Sequence, residues 1–239
     1  MIQSLEGKTI LIAGGSSGAG LALARNTAAQ GAEVHIVGRS EEKLEAARAA
    51  IGANVIIHAL DIASEASVRH LAERVGALDH LVTTAASLTF KPFLELTDAE
   101  IAATLAGKFW GPIYLVRHFA PRLAKQGSIT FVSGSAAYKA LTGGSAAAAA
   151  NAALDGLART LALELAPIRV NVVSPGVFEG GTWDFMDPEN RTQTLAGIGE
   201  LLPLGRVGTA DEIAASIQFL MTNGFATGSV LQLDGGANA

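Results

Sequence analysis

The chain has 239 residues, 49% of them hydrophobic and 16% charged, which is enough apolar side chain for one sizeable α/β core and too much for a disordered polymer. Seventeen basic against 22 acidic residues leave a net charge of −5 with no Lys/Arg block, so nucleic acid is not an expected partner: an acidic chain gains nothing from counterion release on a phosphate backbone. The absence of cysteine excludes disulfides, thiolate catalysis and cysteine-ligated zinc.

The opening segment, Met1-Ile2-Gln3-Ser4-Leu5-Glu6-Gly7-Lys8, has no basic flank leading into an apolar core, and no later apolar run reaches membrane-spanning length. A cytoplasmic location without a membrane partner is expected. Short apolar, β-branched runs at residues 8–13, 33–37, 54–60, 80–83, 128–133, 169–173 and 229–233 predict seven strands. Stretches of helical period begin near Gly18, Ser40, Ser64, Asp98, Ser145 and Asp211. Three starts carry cap signals, in Ser64-Glu65-Ala66-Ser67, Thr97-Asp98-Ala99-Glu100 and Thr209-Ala210-Asp211-Glu212, each a hydroxyl ahead of first-turn carboxylates. The alternation predicts one doubly wound, Rossmann-type α/β domain over residues 1–239, a seven-stranded parallel sheet with helices on both faces. Residues 178–206 read differently. Gly180-Gly181, Pro188 and Pro203 break any long element there, while Trp183, Phe185 and Met186 supply apolar bulk, so a mobile flap beside a substrate pocket is expected.

The first chemical motif is Ile10-Leu11-Ile12-Ala13-Gly14-Gly15-Ser16-Ser17-Gly18-Ala19-Gly20, a strand running into a glycine-rich turn and then a helix. Glycines let backbone amides approach a pyrophosphate at a helix N-terminus; a tight connection with no ligand is the plain alternative. The second strand ends Ile36-Val37-Gly38-Arg39-Ser40, and a site selecting NAD would place an acidic residue there. A guanidinium at Arg39, with Ser40 as a further donor, suits a 2′-phosphate and hence NADP(H), against the alternative of a solvated loop cation.

With these motifs the chain resembles the short-chain dehydrogenase/reductase family nearly end to end. The resemblance is carried by Gly14, Gly18 and Gly20, by Asp61-Ile62, by Leu161-Ala162-Leu163-Glu164-Leu165-Ala166-Pro167-Ile168-Arg169-Val170-Asn171, by Ser174-Pro175-Gly176, and by Pro203-Leu204-Gly205-Arg206 with Asp234-Gly235-Gly236. It implies cofactor contacts at Gly14, Ser16, Ser17, Gly18, Ala19, Gly20, Arg39, Ser40, Asp61, Ile62, Ala85, Ala86, Pro175, Gly176 and Val177, a small-molecule substrate, and a homotetramer or homodimer.

The family reduces carbonyls with a tyrosine acid, a lysine that lowers its pKa, a polarising serine and a structural asparagine, and the four aligned positions differ here. Ala147 falls at the tyrosine, Asn151 at the lysine, Gly134 at the serine with Ser133 and Ser135 on either side, and Lys108 at the asparagine. Two of these changes are reciprocal, so the site is expected to keep a lysine and an asparagine with their helices exchanged. The alternative for Lys108 is an ordinary surface lysine with its head in water. Tyr138 is the phenol nearest in sequence and either reaches a substrate oxygen or decorates an exposed loop; Tyr114 reads as core. Ala147 is expected to leave a wide, dry space, or alternatively to let its helix pack closely. The five histidines, His35, His58, His70, His80 and His118, show no ligand-spaced pair, and no metal is expected. The candidate catalytic residues are thus Lys108, Ser133, Ser135, Tyr138 and Asn151. Without a strongly placed acid, quinones, activated dicarbonyls and iminium ions become the favoured hydride acceptors. The competing reading is a catalytically silent NADP(H)-binding protein, a redox sensor or partner subunit.

Overall fold

The computed structural model describes residues 3–52, 54–85, 88–180, 183 and 186–239. Seven parallel strands form its centre: β1 (Thr9–Ala13), β2 (Glu33–Gly38), β3 (Val55–Ala59), β4 (Leu78–Thr83), β5 (Leu123–Val132), β6 (Arg169–Pro175) and β7 (Val230–Leu233). Their order across the sheet is β3-β2-β1-β4-β5-β6-β7, so the chain reverses its direction of winding between β1 and β4. Open sheets of this kind bind ligands where the order reverses, beyond the C-terminal ends of the strands.

Period-two alternation puts each strand's residues on opposite faces. Ile10, Ile12, Val34 and Ile36 pack with α1 (Gly18–Ala28), α2 (Glu41–Ile51) and α8 (Ala210–Thr222). Leu11, Ala13, Val37, Leu81, Ile129 and Phe131 pack on the other side with α3 (Glu65–Val75), α5 (Gly111–Phe119) and α6 (Ser145–Glu164). Both faces are therefore covered, as the near-continuous apolar strands require. The cap signals act as expected: Ser64, Thr97 and Thr209 each accept a backbone N–H from the third helical residue, and Glu100 and Glu212 close reciprocal boxes.

Three elements differ from expectation. β5 begins at Leu123 rather than 128, its register with β4 shifting between Leu78 and His80. The expected single helix after Asp98 is α4 (Asp98–Leu105), a wide five-residue turn at Ala106–Trp110, then α5. Within residues 178–206, read as broken by proline, lies the thirteen-residue helix α7 (Pro188–Glu200). Pro188 occupies its first position, where a missing N–H does no harm, and Asp187 caps it by accepting from the Asn190 N–H at 3.0 Å. Among the described residues, no helix is long and apolar enough to cross a membrane.

Candidate active site

The glycine-rich turn sits at the reversal between β1 and β4. Gly14 holds φ +93°, and a side chain there would bring Cβ to 2.6 Å from the Ala85 nitrogen. At Gly20 a Cβ would meet the Gly14 carbonyl oxygen at 2.2 Å, so the glycine is what lets α1 seat against the turn. Thr84 Oγ1 donates to the carbonyls of Ala13 and Gly14, both at 3.1 Å, and fixes the loop after β4 against this turn. Ser17 precedes α1 in extended conformation without bonding the helix through its side chain, and the first turn carries no carboxylate. Those first-turn N–H groups fit an anion.

The other expected cofactor residues gather along the same edge. Ser16 lies by Gly38, at the end of β2, and Arg39 follows it, exposed. Ser40 caps α2 by accepting from the Lys43 N–H at 3.3 Å, so its own hydroxyl proton stays available to donate. Asp61 is exposed beyond β3 and accepts from the Ala63 N–H at 2.9 Å. Ile62 and Ala19 turn their side chains into the core, Ile62 against Gly111, where a Cβ would come within 2.7 Å of it. The Ala85 N–H is engaged by the Ala13 carbonyl at 2.9 Å. Ala86 lies outside the described residues.

Pro175 ends β6. The Gly176 N–H then bonds the Leu233 carbonyl at 2.8 Å, and a Cβ on Gly176 would come within 2.7 Å of Asp234 Cα. Val177 accepts from the Gly208 N–H, which anchors the start of the 178–206 segment. Trp183 donates through Nε1 to the Phe178 carbonyl at 3.2 Å. Phe185, the other expected flap aromatic, lies outside the described residues.

A second group of polar residues meets where β5 ends beside α6. Lys108 is 3% exposed, and its Nζ donates to the carbonyls of Val132 at 2.8 Å and Ser133 at 3.2 Å. The surface-lysine alternative is thereby set aside. Lys108 lies within the wide i→i+5 turn at Ala106–Trp110. Burial pushes the Lys108 pKa down to about 8, with the Asp155 carboxylate pulling it back up.

Asn151 is buried on α6, its Nδ2 only 2.9 Å from where a Cβ on Gly134 would lie. The glycine at 134 and the asparagine at 151 are thus a steric pair. Ser133 Oγ and Asn151 Oδ1 are buried without a bonding partner, and Ser135 opens a short turn whose carbonyl accepts the N–H groups of Tyr138 and Lys139. Ala147 is 1% exposed, so the wide space expected beside it gives way to close packing of α6. Tyr114 is only partly buried, its ring stacked on Trp110.

Asp155, one helical turn beyond Asn151, is not among the candidates that the sequence suggests. It is 3% exposed, and its Oδ2 accepts the Tyr138 hydroxyl at 2.5 Å. The phenol is pushed up to about 12, first by desolvation of its partly covered oxygen and then by this bond. The spacing of Asp155 from Ala147 and Asn151, at successive turns of one buried helix face, is the signal that could have found it. His35 and His58, on paired strands, are stacked and joined Nδ1 to Nε2 at 2.9 Å, a contact that the sequence does not announce.

A protein-family model described as enoyl-(acyl carrier protein) reductase matches residues 13–238. A short-chain dehydrogenase/reductase of Stachybotrys chlorohalonatus is 34% identical over 99% of both chains. The chain belongs to the short-chain dehydrogenase/reductase family. This dehydrogenase/reductase is also 32% identical to a probable 2,4-dienoyl-CoA reductase of Bacillus subtilis, over 97% of each chain. A small-chain dehydrogenase solved in complex with NADPH superposes with a TM-score of 0.82 at 32% identity, covering 98% of this chain and 99% of that one. Another solved member of the short-chain dehydrogenase/reductase family reaches 0.89 at 34% identity, over 99% of both. The protein is accordingly an oxidoreductase of this type.

Proposed function

We propose that this short-chain dehydrogenase/reductase uses NADP(H) to reduce a small carbonyl, quinone or imine-like substrate, with Lys108 in place of the family's tyrosine and lysine. The observation that carries this reading is the buried ammonium of Lys108 at the C-terminal end of β5, held by two backbone carbonyls with a third N–H left to give. The residues around the glycine-rich turn fit a dinucleotide: a first helical turn free of side-chain caps, Gly14 and Gly20 where backbones approach, Gly18 at positive φ, and exposed Arg39 beside Ser40 for a 2′-phosphate. Ser16, Ser17, Asp61, Ala85, Ala86, Pro175, Gly176 and Val177 complete the proposed cradle. Bound NADPH would supply hydride.

The chain's own contribution is then to place an acid and exclude water. An acid with pKa about 8 is protonated at neutral pH yet gives its proton up readily. Lys108 Nζ passes a proton to the substrate oxygen or nitrogen as negative charge develops there, and Ser133 Oγ, buried and unpartnered, is the accompanying donor. Ser135 borders the entrance, and the amide of Asn151 occupies the space a side chain at position 134 would otherwise take. Residues 178–206 act as the substrate loop of a single domain, with Trp183 covering the reacting end. A cytoplasmic homodimer or homotetramer completes the proposal.

The test is consumption of NADPH, with NADH in parallel, against quinones, diketones, imines and simple ketones. Turnover that prefers NADPH supports the reading; tight NADPH binding with no turnover on any class would favour a silent binding protein.

A further inference from the structure

Asp155 has no place in the reduction chemistry above, yet it is a buried carboxylate tied to two other groups of the site. Its Oδ2 receives the Tyr138 hydroxyl at 2.5 Å, while its Oδ1 is buried without a partner, and its charge acts on Lys108. Buried polar atoms without a direct partner are commonly satisfied by ordered water. Asn151 Oδ1 and Ser133 Oγ are in the same condition, on the neighbouring turn of α6 and at the end of β5. Tyr138, by contrast, is 45% exposed, with Arg159 and Gln232 as its other polar neighbours. Lys108 Nζ bonds the Ser133 carbonyl, the adjoining Gly134 abuts Asn151, and Asp155 lies one turn along α6 from Asn151, so the cluster runs from solvent at the phenol toward a buried amine at Lys108.

We propose that Tyr138 and Asp155 form a proton path between bulk water and Lys108, with water joining Asp155 Oδ1 to Lys108 Nζ. The inference rests on Lys108 being the acid, since only then must it be reprotonated in each cycle. A proton from bulk water reaches the Tyr138 oxygen as the phenol's own proton passes to Asp155 Oδ2, so one O–H bond forms as another breaks. The neutral carboxyl turns about its Cβ–Cγ bond and gives that proton, through the bridging water, to the neutral amine of Lys108. One proton has moved inward, Tyr138 and Asp155 have returned to their starting states, and no electrons have been transferred. Tyr138 and Asp155 are positioning residues in this scheme, acting through Lys108.

The test uses the protein without cofactor, labelled with 15N-lysine, and reads hydrogen exchange at Lys108 Nζ by NMR; the signal is assigned by its loss in Lys108→Met. Tyr138→Phe and Asp155→Asn are each expected to slow that exchange at least about tenfold, with Asp155→Glu restoring part of the rate. Unaltered exchange in Tyr138→Phe would overturn the path. Ultraviolet titration of the phenols adds an independent reading, because the chain has only two tyrosines. Tyr138 ionising at about 12 should fall toward the ordinary value of 10.0 in Asp155→Asn, and no change would overturn the Tyr138–Asp155 link. Should Asp155→Asn fail to fold, Tyr138→Phe alone decides, since it keeps the ring. Failure of Lys108 as the acid shows separately, as turnover untouched by Lys108→Met.

Discussion

Replacing Lys108 by methionine separates what the buried ammonium costs the fold from what it does in the site. The folded lysine titrates at about 8 and the unfolded one at its ordinary 10.5. Between those values the unfolded chain binds more protons than the folded one, so stability rises with pH across this window. Below about 8 both states carry the charge, and the penalty for burying it is present in full. The drop from 10.5 to about 8 corresponds to about 3 kcal/mol, at most ~1.4 kcal/mol per pH unit. The informative quantity is therefore the stability of the parent minus that of Lys108→Met, measured by urea unfolding from neutrality to pH 10.5. It should climb by about 3 kcal/mol over this range. Curves that run parallel would refute the argument, because they would mean the ammonium keeps its proton on folding as easily as in water.

Three further outcomes rest on single contacts. Gly134→Ala places Cβ 2.9 Å from Asn151 Nδ2 and should cost about 1–3 kcal/mol, a cost that vanishes in the Asn151→Ala background; a penalty that persists there sinks the steric pairing. Arg39→Asp should weaken NADPH binding by about 10- to 100-fold and favour NADH, read by fluorescence titration of both; equal losses for the two nucleotides would remove Arg39 from selectivity. His58 and His80 are buried and held near pKa 4, against an ordinary 6.5. Their contribution is complete above 6.5 and is lost as the pH falls toward 4, up to about 3 kcal/mol each, so His80→Gln should flatten the acid side of the stability profile. An unchanged profile in that variant would contradict the assignment.

The architecture was legible because strand and helix periods alternate cleanly and each turn carries its own chemistry. Ile10-Leu11-Ile12-Ala13 running into Gly14 specifies both a buried strand and the turn beyond it. What could not be read depended on elements meeting in space. Pro188 looks like a breaker until it is seen at the first position of α7, behind the Asp187 cap. His35 and His58 lie 23 residues apart and become neighbours only once β2 and β3 pair with Val37 opposite His58. Lys108 and Asn151 stand out in the sequence as candidates, but the residue types announce neither the burial of the lysine nor the wide turn at Ala106–Trp110 that carries it. Asp155 is marked only by its spacing from Ala147 and Asn151, since a carboxylate on a long helix ordinarily faces water.

In the proposed reduction Lys108 is the acid. The most direct measurement is the pH dependence of kcat/KM for NADPH-driven reduction by the parent and by Lys108→Met. A parent rate that falls as pH rises through about 8, where the ammonium loses its proton, is expected, with a variant slower by about two to four powers of ten and without that limb. A variant that keeps both the rate and the profile of the parent would contradict it.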